Sequence, residues 1–206
     1  AVEIARAARA RRARKLIRNL VLWVGVPTLF GILYFGALAV DQFESFSVLS
    51  VPADKVAMLR EYALSRDMLG KLEQGAQFSQ KFAGRGGDPF EELARDARSE
   101  QRYRFFLHKV DVQIEEAGIV RLKMRALSGA EAAQFLHLMV AELGTFLSAH
   151  SADPATKLVV VSAPSRPNEP TYPNRLYGIV TVALVSAALY AIGSLLVAAA
   201  REHAQF

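Results

Sequence analysis

Cysteine is absent from the chain of 206 residues. Disulfide bonds and thiolate zinc sites are therefore excluded, so an exported domain of this chain must be held together by packing alone. The histidines show neither the HxxxH nor the HxxE spacing that puts two metal ligands on one helix face. They are His108, His137, His150 and His203. No metal and no cofactor is predicted.

Signatures of enzyme active sites are also scarce. The run Gly84-Arg85-Gly86-Gly87 lacks the Gly-Lys-Ser/Thr ending of a phosphate-binding loop and is interpreted as a linker. An exported hydrolase would need paired carboxylates on neighbouring strands, or a nucleophile beside a histidine. Glu115 and Glu116 fall at a predicted hairpin turn and Asp88 at a predicted helix start, so each has a structural explanation. An enzyme is not predicted.

Two long stretches have no charged residue. Leu176 to Ala200 is 25 residues long. A helix of that length, at about 1.5 Å per residue, reaches about 38 Å and exceeds the ~30 Å hydrocarbon core of a membrane. Leu20 to Val40 is 21 residues long, whereas the apolar part of a secretory signal peptide has only about 7–15. Both stretches are predicted to be transmembrane helices.

The distribution of charge predicts the topology. Residues 1–19 hold seven Lys and Arg against one Glu, whereas residues 41–175 hold 17 basic and 18 acidic side chains. Under the positive-inside rule the basic tail is cytoplasmic. The predicted order is a basic tail at 1–19, a first span at 20–40, an exported α/β domain at 41–172, a second span at 173–200 and a cytoplasmic tail at 201–206. Because the basic excess flanks a span, no nucleic-acid partner is predicted.

The middle of the chain changes between strand-like and helix-like spacing. Strands are predicted at 43–51, 110–114, 120–124 and 157–161, with a hairpin turn at 116–118. Helices are predicted from 53 to 72 in two pieces, from 88 to about 101, and from 130 to 150. Ser65 and Ser128 are the expected N-caps of two of them. In the hairpin, Asp111 and Glu115 are expected to oppose Arg121 and Lys123.

This order of elements matches the split βαββαβ pattern of ferredoxin-like domains. The first and last strands are then expected to be central neighbours, with Phe43 close to Val161. Both membrane helices would leave adjacent points of one sheet. The predicted fold class is an α+β membrane protein, in which two transmembrane helices flank a ferredoxin-like βαββαβ domain.

Two segments of the chain carry motifs. The C-terminal motif consists of Tyr172, Pro173, Asn174, Arg175, Leu176, Tyr177 and Gly178, then an apolar span, then Arg201, Glu202 and His203. The N-terminal motif is Pro27-Thr28-Leu29, then Tyr34, then Asp41-Gln42-Phe43-Glu44-Ser45. Together they resemble the inner-membrane capsule polysaccharide export proteins, which belong to the polysaccharide co-polymerase class of Gram-negative bacteria. The C-terminal motif is the more specific of the two.

The resemblance implies a non-enzymatic scaffold in the bacterial inner membrane, with both termini cytoplasmic and the central domain periplasmic. Family members form homo-oligomers with a capsule ABC transporter and link it to an outer-membrane polysaccharide export protein, so that acidic polysaccharide crosses the periplasm. The alternative is a co-polymerase that regulates the chain length of O-antigen or exopolysaccharide and works with a polymerase and no ABC transporter. The C-terminal motif favours export.

The chain departs from the family in one place. Family members usually carry a long helical hairpin between the last helix and the last strand of the domain, where this chain has only Ser151-Ala152-Asp153-Pro154. A domain of about 130 residues is only some 30 Å across, too short to reach an outer-membrane partner. A helical segment near 150–155 is therefore expected to be missing from the chain.

Small residues in the two spans are candidate helix contacts. Ala183, Ala187 and Ala191 lie four apart on the second span, and Gly25 and Gly36 lie on the first. Small residues at four-residue spacing let membrane helices approach closely, so these positions are expected to contact a neighbouring helix. The alternative is the ordinary use of small residues in a membrane helix.

A cluster of cations and rings is the candidate polysaccharide contact. It consists of Arg98, Arg102, Tyr103 and Arg104, followed by Phe105 and Phe106. Charge and stacking on ring faces would together bind an acidic sugar chain. The alternative is that the arginines form a solvated helix end while the two phenylalanines enter the core.

Overall fold

The computed structural model describes residues 14, 17–85, 88, 91–115, 118–151 and 157–203. The helices in chain order are α1 (Val26–Leu33), α2 (Val56–Ala63), α3 (Arg66–Ala76), α4 (Phe78–Phe82), α5 (Ser99–Lys109), α6 (Gly129–Ala149) and α7 (Arg175–His203). The strands are β1 (Phe43–Ser50), β2 (Val110–Ile114), β3 (Ile119–Ala126) and β4 (Val159–Ser162). The chain forms two units, a helical unit drawn from Ala1–Ala39 and Asn174–Phe206 and a sheet unit, Val40–Pro173.

The helical unit contains two long apolar helices. One is α7, and the other consists of α1 with a π-helical turn on each side, at Val21–Gly25 and Tyr34–Leu38. The first π turn ends at Gly25, two residues before Pro27, whose ring removes a backbone donor from the hydrogen-bond ladder. Most of the basic tail at 1–19 lies outside the described residues.

Three segments of the described chain are long and apolar enough to cross a membrane. They are Ile17–Leu38, Gly129–Ala149 and Arg175–Val197. The first and third coincide with the spans predicted at 20–40 and 173–200. The second is α6, which the sequence predicts as a helix of the domain. In its most apolar window 44% of the residues are buried, whereas none are buried in the corresponding window of α7.

The sheet unit is a mixed α+β fold built on four antiparallel strands in the order β2-β3-β1-β4. The predicted hairpin is confirmed as β2 and β3, with Asp111 opposite Lys123 and a Glu115 carboxylate 2.8 Å from the guanidinium of Arg121. Residues 116 and 117 of its turn lie outside the described residues. The predicted strand at 157–161 is present as β4, two residues later at its start.

The central position predicted for the last strand is wrong. β4 does lie beside β1, but it is an edge strand, and the central pair is β1 and β3. Its register pairs Leu49 with Val160, whereas Phe43 lies opposite Ala126, so Phe43 and Val161 are not neighbours. The short β4 pairs only with Val48, Leu49 and Ser50 of β1.

Helix α6 packs on one face of the sheet. Its N-cap is Ser128, whose hydroxyl accepts from the Glu131 N–H at 3.2 Å, and Ser65 caps α3 in the same way. Side chains at helical spacing turn from α6 into the core. They are Ala132, Leu136, Met139, Leu143 and Leu147, each fully buried. Both caps and the apolar stripe agree with the prediction.

The helix predicted from Asp88 to about Gln101 is wrong. Residues 91–98 are irregular, and α5 begins only at Ser99 and continues to Lys109. The Leu93 N–H donates to the Phe82 carbonyl, which makes a short parallel bridge between Ala83 and Leu93. Residues 89 and 90 of the predicted capping box lie outside the described residues. Tertiary pairing and burial of Leu93 therefore override the local helix signal.

Strand β1 buries two of its three serines. Ser45 and Ser47 are fully buried, whereas Phe46 on the opposite face is 41% exposed. Each buried hydroxyl donates at 2.7 Å to a backbone carbonyl, Ser45 to Ser165 and Ser47 to Ser162. Buried hydroxyls need hydrogen-bond partners, and these two bonds connect β1 to the segment that contains Ser162 and Ser165.

Candidate functional site

The two ends of the sheet unit are joined to each other. The Gln42 N–H donates to the Tyr172 carbonyl at 2.7 Å, and the Gln42 carbonyl accepts from the N–H groups of Thr171 at 2.8 Å and Tyr172 at 3.2 Å. Gln42 follows the first apolar segment in sequence and Tyr172 precedes the second. The backbone therefore brings the two connections to the apolar helices within hydrogen-bond distance.

A buried lysine fixes the Gln42 side of this join. Lys109 ends α5 with its side chain 1% exposed, and its ammonium group donates to the Gln42 side-chain oxygen at 3.0 Å and to the Glu91 carboxylate. The rings of Phe105 and Phe82 lie 5.1 and 5.4 Å from the same nitrogen. Aromatic faces stabilise a desolvated cation, so the site accepts a charge that burial alone would exclude.

Burial lowers the pKa of Lys109, and the hydrogen bond and charge of Glu91 oppose that shift. The nearby charges of Arg125 and Asp88 act in opposite directions, Arg125 lowering the pKa and Asp88 raising it. Burial is the larger effect because, within the described part of the chain, Glu91 and Gln42 alone replace the water that an exposed ammonium group would bind. The geometry is that of a structural ion pair.

The Tyr172 side of the join is held by an arginine. The Arg125 guanidinium carbon lies 5.2 Å from the centre of the Tyr172 ring, and the same side chain donates to the His108 carbonyl at 2.6 Å. We call Gln42, Glu91, Lys109, Arg125 and Tyr172 the junction cluster. It connects the ends of the sheet unit to α5 and β3.

The start of the C-terminal motif forms the beginning of α7. The Asn174 side-chain oxygen accepts from the Tyr177 N–H at 3.1 Å, and the Asn174 carbonyl accepts from the Gly178 N–H at 2.9 Å. Asn174 therefore acts as the N-cap. Leu176 and Tyr177 are 73% and 72% exposed. Pro173 follows Tyr172 across a cis peptide bond.

The two apolar helices of the helical unit touch at glycines. A Cβ added to Gly178 would lie 2.4 Å from the ring of Phe35, and one added to Gly31 would lie 3.4 Å from Val182. Arg175 also donates to the Gly36 carbonyl at 3.4 Å. Gly178 thus has a packing role within the motif, because no side chain fits between it and the ring.

Of the small residues predicted as helix contacts, only the Gly36 carbonyl has a described bond to the other apolar helix, the one from Arg175. Gly25, Gly36, Ala187 and Ala191 are exposed within the chain and Ala183 is half-buried. Their contact with a neighbouring helix stays a prediction about assembly. At the end of α7, His203 is exposed, while the side chains of Arg201 and Glu202 lie outside the described residues.

The arginines proposed to contact polysaccharide are exposed at the start of α5. Arg98, Arg102 and Arg104 all face solvent, and Arg102 donates to the Ala97 carbonyl at 3.0 Å. The Tyr103 hydroxyl donates to the Leu64 carbonyl at 2.8 Å, and the Arg66 guanidinium lies 4.4 Å above its ring. One face of the ring is therefore already covered by a cation.

The two phenylalanines that follow lie in the interior. Phe106 is fully buried and Phe105 is half-buried in a group of rings with Phe78, Phe82 and Phe135. This agrees with the alternative interpretation for those two residues. Cations therefore supply most of what the cluster offers to a ligand.

Sequence reasoning missed Lys109 and Glu91 in the junction cluster. Lys109 directly precedes the strand residue Val110. Its place between Phe105 and a strand of alternating residues was the sequence feature that could have indicated a buried lysine. Among the described residues, no group of three or more His, Asp or Glu side chains is placed to hold a metal ion.

No protein-family model and no curated protein matches the chain.

Proposed function

We propose that the chain is a non-enzymatic inner-membrane scaffold for capsular polysaccharide export. In this proposal it forms homo-oligomers with a capsule ABC transporter and links that transporter to an outer-membrane export protein. The observation that carries the proposal is the join between Gln42 and Tyr172. A domain carried between two membrane spans needs its ends side by side, and here the join lies at the first residue of the family motif.

The proposal includes two spans and a ferredoxin-like domain. Read from the other edge, the strand order is β4-β1-β3-β2, and α6 covers β1 and β3 with eight buried residues. Those buried residues support α6 as a helix of the domain, since a lipid-facing helix would expose them. The basic excess at 1–19 supports a cytoplasmic start, which puts residues 41–172 in the periplasm and the end of α7 in the cytoplasm.

Affinity purification tests the function. The tagged full chain would be purified from membranes of its own host in a gentle detergent, and its partners identified by mass spectrometry. Export predicts both subunits of an ABC transporter and an outer-membrane export protein among the partners. A polysaccharide polymerase without a transporter would instead support the chain-length-regulating co-polymerase. If neither a transporter nor a polymerase is found among the partners, both functions are contradicted.

Contact with acidic polysaccharide is a separate part of the proposal. Three exposed arginines, Arg98, Arg102 and Arg104, put positive charge on one end of α5. Their joint replacement by alanine should lower surface polysaccharide at an unchanged level of the chain. Replacement of the exposed Arg60 and Arg166 by alanine is the charge-loss control. Equal export in both variants would leave the arginines as a solvated helix end.

A further inference from the structure

One edge of the sheet is unusually apolar. Strand β4 pairs with β1 on one side only, and its valines are exposed: Val159 at 57%, Val160 at 43% and Val161 at 61%. The strand contains neither a charged residue nor a proline. Lysine or proline in an edge strand, or a covering element, often protects it from pairing with another chain, and β4 itself contains neither lysine nor proline.

The opposite edge, β2, has a complementary character. Ile114 at its C-terminal end is 50% exposed, and Asp111 and Gln113 also face solvent. The registers place Ile114 opposite Val120, with Ile119 opposite Ser50 and Ser50 opposite Val159. The end of β2 and the start of β4 therefore lie at the same end of the sheet, on its two edges.

We propose that the β4 edge of one copy pairs with the β2 edge of a second copy of this chain, so that the sheet continues from one subunit to the next. An even number of antiparallel strands ends in edges of opposite direction. A second copy placed beside the first in nearly the same orientation therefore adds its β2 antiparallel to β4. The inference deepens the homo-oligomer of the proposed function and rests on it.

Charge selects this pairing over β4 against β4. Lys157 precedes β4 and Glu115 follows β2, both are exposed, and both lie at the same sheet end. Head-to-tail contact brings the lysine of one copy to the carboxylate of the next. A symmetric β4 pair would put Lys157 at both ends of the contact without that acidic partner. Opposite charges near a shared edge fix partner and register.

The side chains also match in kind. Val160 lies opposite the buried Leu49, so it is on the α6 side of the sheet. Ile114 is on the same side, because it follows the buried Val110 and Val112 at two-residue spacing. Pairing of the two edges would bring one exposed apolar residue of each copy together. A head-to-tail contact uses both edges of every subunit, and it forms a ring where the rotation closes.

The absence of cysteine makes a direct test possible. Ile114→Cys and Val160→Cys would be produced separately and together in the full chain, in host membranes that lack the transporter. A bis-maleimide short enough to join neighbouring strands would then be added. The inference predicts a dimer when the two single variants share a membrane, and species beyond the dimer from the double variant. Each single variant alone should remain a monomer.

Matched controls exclude random collisions. Leu107→Cys, at a 38% exposed position on α5, should not crosslink to Val160→Cys. Glu115→Lys and Lys157→Glu should each lower the crosslinked fraction by about twofold to fivefold, and the double reversal should restore it. Restoration identifies the pair, since loss of the contact between Glu115 and Arg121 would not be repaired by a change at Lys157.

Two results would overturn the inference. The first is a crosslinked dimer from Val160→Cys alone, which would mean symmetric pairing of β4 with β4. The second is the absence of a crosslink when folded Ile114→Cys and Val160→Cys chains share a membrane. Because the membranes lack the transporter, this result is separate from the purification test. Export partners without edge crosslinks would refute the edge pairing alone, and edge crosslinks without export partners would refute the export function alone.

Discussion

Helices α6 and α7 are both long and apolar enough to cross a membrane, yet they have opposite environments. Almost half of the most apolar window of α6 is buried, and none of the window of α7 is. Helix α6 carries Glu131 and Glu142, each paired with a lysine, whereas α7 has no charged residue from Leu176 to Ala200. Length and apolar content therefore identify both helices as candidate spans, while burial and charge distinguish α6 from α7.

The largest expected effect is on the buried stripe of α6. Leu136→Asp puts an unpaired carboxylate in the core, so we expect the sheet unit to lose more than about 4 kcal/mol of stability. Leu189→Asp in α7, at a 65% exposed position, should leave the sheet unit intact and impair membrane insertion. Hydrogen exchange of the β1 and β3 amides measures the first effect, and the membrane-bound fraction measures the second. Equal protection in the two variants would contradict the different environments of Leu136 and Leu189.

The junction cluster gives the next effect. Glu91→Gln leaves the buried ammonium group of Lys109 without its anion, and removal of one partner from a buried pair costs about 3–5 kcal/mol. Lys109→Met should cost less, because the apolar side chain still fits between the rings and Glu91, 22% exposed, regains water. Denaturant unfolding of the two variants in detergent gives the order. A larger loss for Lys109→Met would contradict the ion-pair account.

Lys109 is also expected to make the stability of the sheet unit depend on pH. Burial lowers the pKa of Lys109 in the folded state from the ordinary value of 10.5. Between the lowered pKa and 10.5 the unfolded chain binds a proton that the folded chain does not, so stability rises with pH in that window. Lys109→Met should remove this rise, and an unchanged alkaline slope would argue against a desolvated lysine.

On the helical side the sensitive position is Gly178. Gly178→Val forces a side chain into the ring of Phe35, and overpacking of this kind costs about 1–3 kcal/mol. Gly193→Val is the control, because a Cβ at Gly193 meets no atom within 4 Å. Crosslinking between cysteines placed on the two apolar helices should fall for Gly178→Val only. A similar fall in both variants would indicate general damage to α7.

The smallest effect is expected at the protein surface. The Arg66 hydrogen bond, then its charge, lowers the pKa of Glu100 below its ordinary value of 4.5. This contribution to stability is present above pH 4.5 and is lost as pH falls through the lowered pKa. Glu100→Gln should slightly flatten the acid limb of the stability curve at low salt. At high salt the stability curves of Glu100→Gln and the unchanged chain should coincide, because salt screens an exposed ion pair.

The sequence predicted those elements whose signals are local. Serine N-caps at Ser65 and Ser128, the alternation in the hairpin and the stripe of α6 each depend on neighbours a few residues away. The helix at 88–101 failed because its capping signal is also local, while Leu93 is held by the distant Phe82. The buried faces of Ser45 and Ser47 depend in the same way on carbonyls more than a hundred residues later.

The candidate site was predictable in part for the same reason. The motif from Tyr172 to Gly178 is continuous in sequence, so its residues were available. Two spans implied that the ends of the domain lie close together, but the pairing of Tyr172 with Gln42 was not predicted. Lys109 and Glu91 come from separate elements and meet only after folding. The helix contact at Gly31 was missed because one glycine among many apolar residues carries no pattern.

In the proposed topology, α7 spans the membrane a second time and α6 does not span it. Green fluorescent protein fused after Phe206 tests it, since this reporter folds to its fluorescent form in the cytoplasm and not after export through the general secretory route. Two spans with a cytoplasmic start predict a fluorescent fusion in the membrane fraction. A third span formed by α6 would put the reporter outside, and a non-fluorescent but full-length fusion would contradict the account.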